Sequence, residues 1–202
     1  MRIEEGDIPF LDVPRETRTR LFYYARLLAQ WNEAINLIGP QEDIWQRHII
    51  DSAQLFPLLP SPDITMADLG SGAGLPGMVL AILGVRDVHL IEKDQRKIAF
   101  LREASRITET PVTLHATAVE TSSLPLCGAI TARALAPLER LLGLAQKHVQ
   151  PDTFCLFPKG KNWYKEIETA QARWRFSYTS HRSVTDGDAA ILLIRHVERI
   201  KP

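Results

Sequence analysis

Cysteine is scarce in this 202-residue chain: Cys127 and Cys155 stand far apart, with no metal-type spacing around them. That excludes a disulfide framework and a zinc site, and it predicts two buried, reduced thiols. Long apolar runs are missing too. Nothing approaches the roughly 18 consecutive apolar residues of a membrane span, and Met1-Arg2-Ile3-Glu4-Glu5 lacks the basic-then-apolar order of a secretory signal. The expected location is the cytoplasm, away from membranes. Charge of one sign is also lacking, since 24 basic side chains face 24 acidic ones. A protein that coats nucleic acid by bulk positive charge is thereby excluded. No repeat or low-complexity tract interrupts the chain.

What is present is unevenly distributed. Residues 133–202 carry 12 basic and 7 acidic side chains, including Lys159, Lys161, Lys165, Arg173, Arg175 and Arg182. Such an excess fits either a solvated charged face or a surface that meets phosphates. The length supports one core with an appendage. Residues 1–60 read as a helical cap and 61–202 as the core, together one structural unit.

Periodicity orders the elements. After Pro14, which suits a helix's first turn, Leu21, Ala25, Leu28, Trp31 and Ile35 share one face. Gly39-Pro40 breaks the chain, and Ile44, His48, Asp51 and Leu55 mark a second helix ending near Pro57. From residue 62 the pattern alternates. Strands are predicted at 64–69, 88–92, 112–116, 129–132 and 153–157, with helices at 75–83, 95–107, 138–149 and 164–172. Two late strands, 175–178 and 190–196, suit an antiparallel pair on an otherwise parallel sheet. Apolar strands buried on both faces imply a parallel α/β sheet with helices around it.

The densest signal runs from Asp68 to Gly77, Asp-Leu-Gly-Ser-Gly-Ala-Gly-Leu-Pro-Gly, where the first core strand passes into a helix. Ligands of open α/β sheets bind at that edge. Gly72, Gly74 and Gly77 have the spacing of a dinucleotide loop, which alone is weak. Asp68 decides between cofactors. An acid there would repel a pyrophosphate, yet it could accept hydrogen bonds from the ammonium of a methionine moiety, so S-adenosyl-L-methionine is favoured. Glu92 ends the second strand, where a carboxylate can accept from ribose hydroxyls. Glu120, with the backbone at Val119, could reach an adenine edge. No second domain is left over to hold an oxidoreductase's substrate.

The acceptor is narrowed by absent motifs. The [D/N]-P-P-[F/Y/W] turn of enzymes that methylate exocyclic amines would follow the fourth core strand, but residues 131–138 read Thr-Ala-Arg-Ala-Leu-Ala-Pro-Leu. Leu126-Cys127 is no Pro-Cys nucleophile pair. Arg133 falls where acceptor and methyl should meet, and there it could clamp a phosphate or the cofactor's carboxylate, or form a structural ion pair. Guanine N7 has a lone pair and no proton to lose, so its methylation needs alignment more than a base. His48 and Asp51, at i and i+3, share a helix face, while Arg47 and Asp51, at i and i+4, could be a surface pair. Spacing alone favours the surface pair.

Segments Asn36-Leu37-Ile38, Arg47-His48-Ile49-Ile50-Asp51-Ser52, Asp68 to Gly77, Arg133-Ala134-Leu135-Ala136-Pro137-Leu138 and Lys159-Gly160 together resemble the bacterial glucose-inhibited division protein B family. The resemblance covers nearly the whole chain. It implies a Rossmann-like class I methyltransferase fold with a seven-stranded, mostly parallel sheet and an N-terminal helical cap. It further implies S-adenosyl-L-methionine-dependent methylation of one guanine N7 in the decoding-region loop of 16S rRNA; the expected partner is 16S rRNA or a small-subunit particle, and the expected state a monomer. By position, Gly70, Leu75, Val119, Glu120 and Arg133 would contact the cofactor, joining Asp68, Gly72, Gly74 and Glu92 of the loop and strand ends. The motif also places the helix of His48 and Asp51 over the site, so Arg133, His48 and Asp51 are assigned to the reaction centre. One departure stands out: family members commonly have arginine before the Val-Glu or Ala-Glu pair, and here that position is Ala118.

Overall fold

A computed structural model describes residues 6–39 and 43–200. The leader reading at residues 1–5 and the proline of the Gly39-Pro40 break lie outside these. Seven strands form one sheet in the order β3-β2-β1-β4-β5-β7-β6. They are β1 (Thr65–Leu69), β2 (Asp87–Ile91), β3 (Thr113–His115), β4 (Ala129–Thr131), β5 (Phe154–Lys159), β6 (Trp174–Arg182) and β7 (Ala190–Arg199). β1 to β5 pair in parallel, and β7 runs antiparallel to both β5 and β6. The order reverses between β1 and β4, so the carboxyl ends of those two strands open the crevice where doubly wound sheets bind ligands.

Helices cover both faces: α3 (Gly77–Leu83), α4 (Gln95–Ile107), α5 (Leu138–Ala145) and α6 (Trp163–Gln171). The long α1 (Arg15–Asn32) packs on α3 and α4. Its stripe of Leu21, Ala25 and Leu28 is fully buried, and it shares one apolar cluster with Met78, Leu80, Phe100 and Leu101. The opposite face of the sheet has its own cluster, in which Leu138, Leu142, Ile167 and Ala170 of α5 and α6 meet Ile130 and Leu192. Cys127 and Cys155 are buried and unbonded to each other, and burial pushes their thiols up to about 11 and about 12.

Several elements differ in bounds or type from the sequence reading. The helix predicted after Ile44 is π-helical over Trp45–Ile50, and α-helical only in α2 (Asp51–Ala53). Packing explains the departure. Trp45, His48, Ile49, Ile50 and Ser52 through Leu55 are buried, far more than one face of an α-helix could bury. β5 extends past Phe157 through Pro158, a residue that cannot donate to a ladder. Its pairing with β4 ends at Leu156, so no bond on that side is lost. β6 runs on through the polar Thr179–Arg182 because it is the edge strand, paired only with β7 and largely exposed. α5 stops at Ala145, short of residue 149.

Candidate functional site

The loop after β1 is built by tight turning. Gly70 takes φ +65°, which favours glycine, and an added Cβ would stand 2.6 Å from Leu135 Cδ1. Gly77, at the start of α3, is needed for a different reason: a Cβ there would lie 2.8 Å from Asp68 Cβ and 2.5 Å from Leu90 Cδ2. The chain between is pinned at several points. Ser71 N–H donates to Ile91 O (2.9 Å) and Gly72 N–H to Glu92 Oε2 (2.9 Å). The other oxygen of Glu92 accepts from Asp94 N–H at 2.8 Å.

Asp68 lies beneath this loop and is fully buried. Its carboxylate accepts from Thr131 Oγ1 at 2.9 Å and from Gly77 N–H at 3.2 Å. Burial pushes its carboxyl up to about 6, against the opposing pull of the Thr131 and Gly77 hydrogen bonds. A folded-state value above the unfolded one means that the protonated form favours the fold. That contribution is complete below the unfolded value of 3.8 and is lost as pH rises through about 6. Asp68→Asn, which stays neutral, is therefore expected to gain on the wild type by about 2 kcal/mol between pH 4 and pH 7, since each tenfold change in proton affinity is worth ~1.4 kcal/mol. Urea unfolding at the two pH values checks this; a constant difference between the proteins contradicts it.

Two cavities flank the segment Ala134 to Ala136, which packs on the loop through Leu135. The smaller, about 380 Å³, is lined by Gly70, Gly72, Glu92, Val119 and Glu120. Ile91, Lys93, Lys97, Thr117, Ala118, Arg140 and Leu144 complete it with the wall residues Ala134, Leu135 and Ala136, and spacing marks none of these as cofactor contacts. Arg140 stands 3.6 Å from Glu120. Asp68, Gly74 and Leu75 do not line this cavity. Asp68 anchors the loop from below, and the other two pack into the core behind it: a Cβ on Gly74 would meet Leu101 and Met78 within 3 Å, and Leu75 is buried.

The larger cavity, about 1100 Å³, holds Arg133, His48 and Asp51. Arg133 is four-fifths buried. Its Nη1 donates to Arg47 O and Asp51 Oδ2, both at 3.1 Å, and its Nη2 to His48 Nδ1 at 2.8 Å. A guanidinium can only donate, so His48 Nδ1 accepts and the neutral ring carries its proton on Nε2. Asp51 Oδ1 accepts in addition from Thr185 Oγ1 at 2.6 Å and Gln54 Nε2 at 2.9 Å. The Arg47–Asp51 surface pair favoured by spacing is not formed. Arg47 turns to Asp186, 3.7 Å away, because Asp51 is committed to Arg133. Arg133, read from sequence as a cofactor contact as well, lines only this larger cavity.

Tyr24 escapes the sequence reading, being masked in the apolar stripe of α1. Its buried hydroxyl donates to Ala73 O at 2.5 Å, tying the cap to the glycine loop, and burial pushes the phenol up. A buried tyrosine hydroxyl needs a partner, and that is the signal that could have found it. Tyr24→Phe leaves Ala73 O unsatisfied and is expected to cost about 1–3 kcal/mol, read by urea unfolding.

Segments 36–38, 47–51, 133–137 and 159–160 all converge on the larger cavity. The family model described as "rRNA small subunit methyltransferase G" matches residues 18–197. The chain belongs to this family. Relatives named ribosomal RNA small subunit methyltransferase G include one from Rhodospirillum centenum, 49% identical over 92% of this chain and 87% of its own length. Another, from Paramagnetospirillum magneticum, is 47% identical over 93% and 92%. Solved structures share the methyltransferase fold at low identity. A ribosomal protein L11 methylase from Lactobacillus delbrueckii superposes with TM-score 0.59 at 18% identity, over 77% of this chain and 79% of that one. A TehB-like methyltransferase from Corynebacterium glutamicum gives 0.57 at 15%, over 87% and 98%. Family membership and fold together account for the glycine loop at the reversal of strand order.

Proposed function

We propose that this protein is an S-adenosyl-L-methionine-dependent methyltransferase that modifies N7 of one guanine in the decoding-region loop of 16S rRNA. The smaller cavity is the cofactor cleft and the larger one admits the base. The observation that carries this reading is convergence: four of the five segments that resemble the family wall one large cavity, and that cavity shares Ala134, Leu135 and Ala136 with the cleft lined by the fifth, the glycine loop.

The residues present fit the cofactor. Side-chain-free backbone at Gly70 and Gly72 leaves room that a Cβ on Gly70 would take from Leu135, and Glu92 faces the same cleft with Val119 and Glu120 beyond it. These residues would hold the nucleoside and its amino-acid tail. Buried Asp68, ionised above about pH 6, supplies negative charge below the loop, which favours a cationic ligand above it. When bound, the cofactor supplies an electrophilic methyl group.

The chain's own contribution is placement. Guanine N7 would accept the methyl group through its lone pair, with no proton for any residue of this chain to remove. A general base is therefore unnecessary, and Arg133, held by Arg47 O, Asp51 and His48, serves to orient the RNA. Loop bases are the readable part of RNA, so the guanine enters unstacked. We further place the protein in the cytoplasm as a monomer, with the cap (residues 1–60) and core (61–202) working as one unit on 16S rRNA or a small-subunit assembly intermediate. No helix among the described residues is long and apolar enough to cross a membrane.

Transfer of labelled methyl groups to RNA from cells lacking this protein tests the proposal. One labelled guanine in 16S rRNA, at N7, is the expected result. Label on another base or another RNA, or transfer that proceeds equally without RNA, rejects it.

A further inference from the structure

The wall between the two cavities has its own supports. Ala134, at φ +53°, sits in a conformation that alanine rarely adopts, and such a conformation persists only where surroundings impose it. Two residues brace the segment that follows it from the side of the larger cavity. Lys159, whose side chain is 9% exposed, donates from Nζ to Ala136 O at 2.8 Å and stands 2.8 Å from Glu166 Oε2. The same Glu166 oxygen accepts from Leu138 N–H, the first residue of α5, at 2.7 Å. On its other side the wall rests on the glycine loop, with Leu135 packed where a Cβ of Gly70 would stand.

We propose that Lys159 and Glu166 are positioning residues for methyl transfer: they fix residues 134–137, and through them Leu135, at the crossing between the cofactor cleft and the RNA cavity. The inference rests on the reading of the two cavities given above. In-line displacement requires donor, methyl and acceptor to be aligned, and a misplacement of about 1 Å costs on the order of 100-fold in rate. Donor and acceptor occupy separate cavities, so their alignment depends on what stands between them. Lys159 and Glu166 line the larger cavity and not the smaller one, so what they do to the cofactor cleft passes through the wall.

The measurable signature separates this role from two others. A phosphate contact by Lys159 would appear in KM for RNA and in salt dependence, and a purely structural contact would appear in thermal stability alone. Lys159→Met keeps the stem and removes the ammonium. It is expected to lower kcat by about 10- to 100-fold, with KM for RNA and cofactor Kd within about threefold of wild type. Amide hydrogen exchange across residues 133–138 is expected to accelerate in the same variant. Glu166→Gln keeps an acceptor for Leu138 N–H but loses the ion pair, and should lower kcat by about 3- to 10-fold at nearly unchanged Tm. Wild-type kcat in Lys159→Met, or in Glu166→Gln should the first variant not fold, overturns the proposal, as does a loss confined to KM or an unchanged exchange rate. Wild-type protein that methylates no RNA overturns the reading of the cavities and the catalytic half of this inference. The exchange comparison needs no RNA and separately reports whether Lys159 holds the wall.

Discussion

Arg133→Ala is expected to cut methyl transfer to RNA by about 100-fold or more, while cofactor Kd changes by less than about threefold. The asymmetry follows from where the side chain lies. Arg133 lines the larger cavity and not the cleft of the glycine loop. It joins three groups on the cap segment, namely Arg47 O, His48 Nδ1 and Asp51 Oδ2. Hydrogen bonds to charged groups are worth about 1.5–3 kcal/mol each, so their loss lets the segment over the cavity drift. Asp51 would keep Thr185 and Gln54 but lose its cation. Single-turnover transfer and calorimetry on one preparation check both halves. A Kd that rises in step with the lost turnover would return Arg133 to the cofactor.

Glu92→Ala should act on the other cavity. Glu92 is 8% exposed, and its two oxygens accept from Gly72 N–H and Asp94 N–H. Removing them frees the turn that shapes the cleft and takes away the carboxylate facing it. Cofactor affinity is expected to fall by about 10- to 150-fold, equivalent to 1.5–3 kcal/mol. Glu92→Gln retains one acceptor and should fall between. Unchanged affinity by calorimetry would remove Glu92 from the cleft.

The fold is legible in sequence where chemistry is local. Alternating apolar runs locate all seven strands, α4 is read to its ends, and glycines after an acid locate the loop. Elements are misjudged where distant packing decides. The segment after Ile44 follows an α-helical pattern in sequence, yet its burial on nearly all sides comes from α1, α3 and the loop before β7. For the candidate site, identity is easier to read than placement. Asp68, Glu92 and Glu120 read together as strand-end acids, but one lies beneath the loop, one pins it and one lines the cleft's outer part. Contacts such as Arg133–Asp51 and Lys159–Ala136 join residues far apart in sequence, and no spacing rule reports them. Tyr24 and Glu166 are hidden for a simpler reason: on a helix, an anchoring side chain has the same periodicity as a core or surface one.

The walls of the larger cavity are drawn from positions 36 through 191. The cleft of the glycine loop draws on positions 70 through 144, so a chain cut before β7 would keep every residue of that cleft and lose the part of the larger cavity's wall that Ala190 and Ile191 supply.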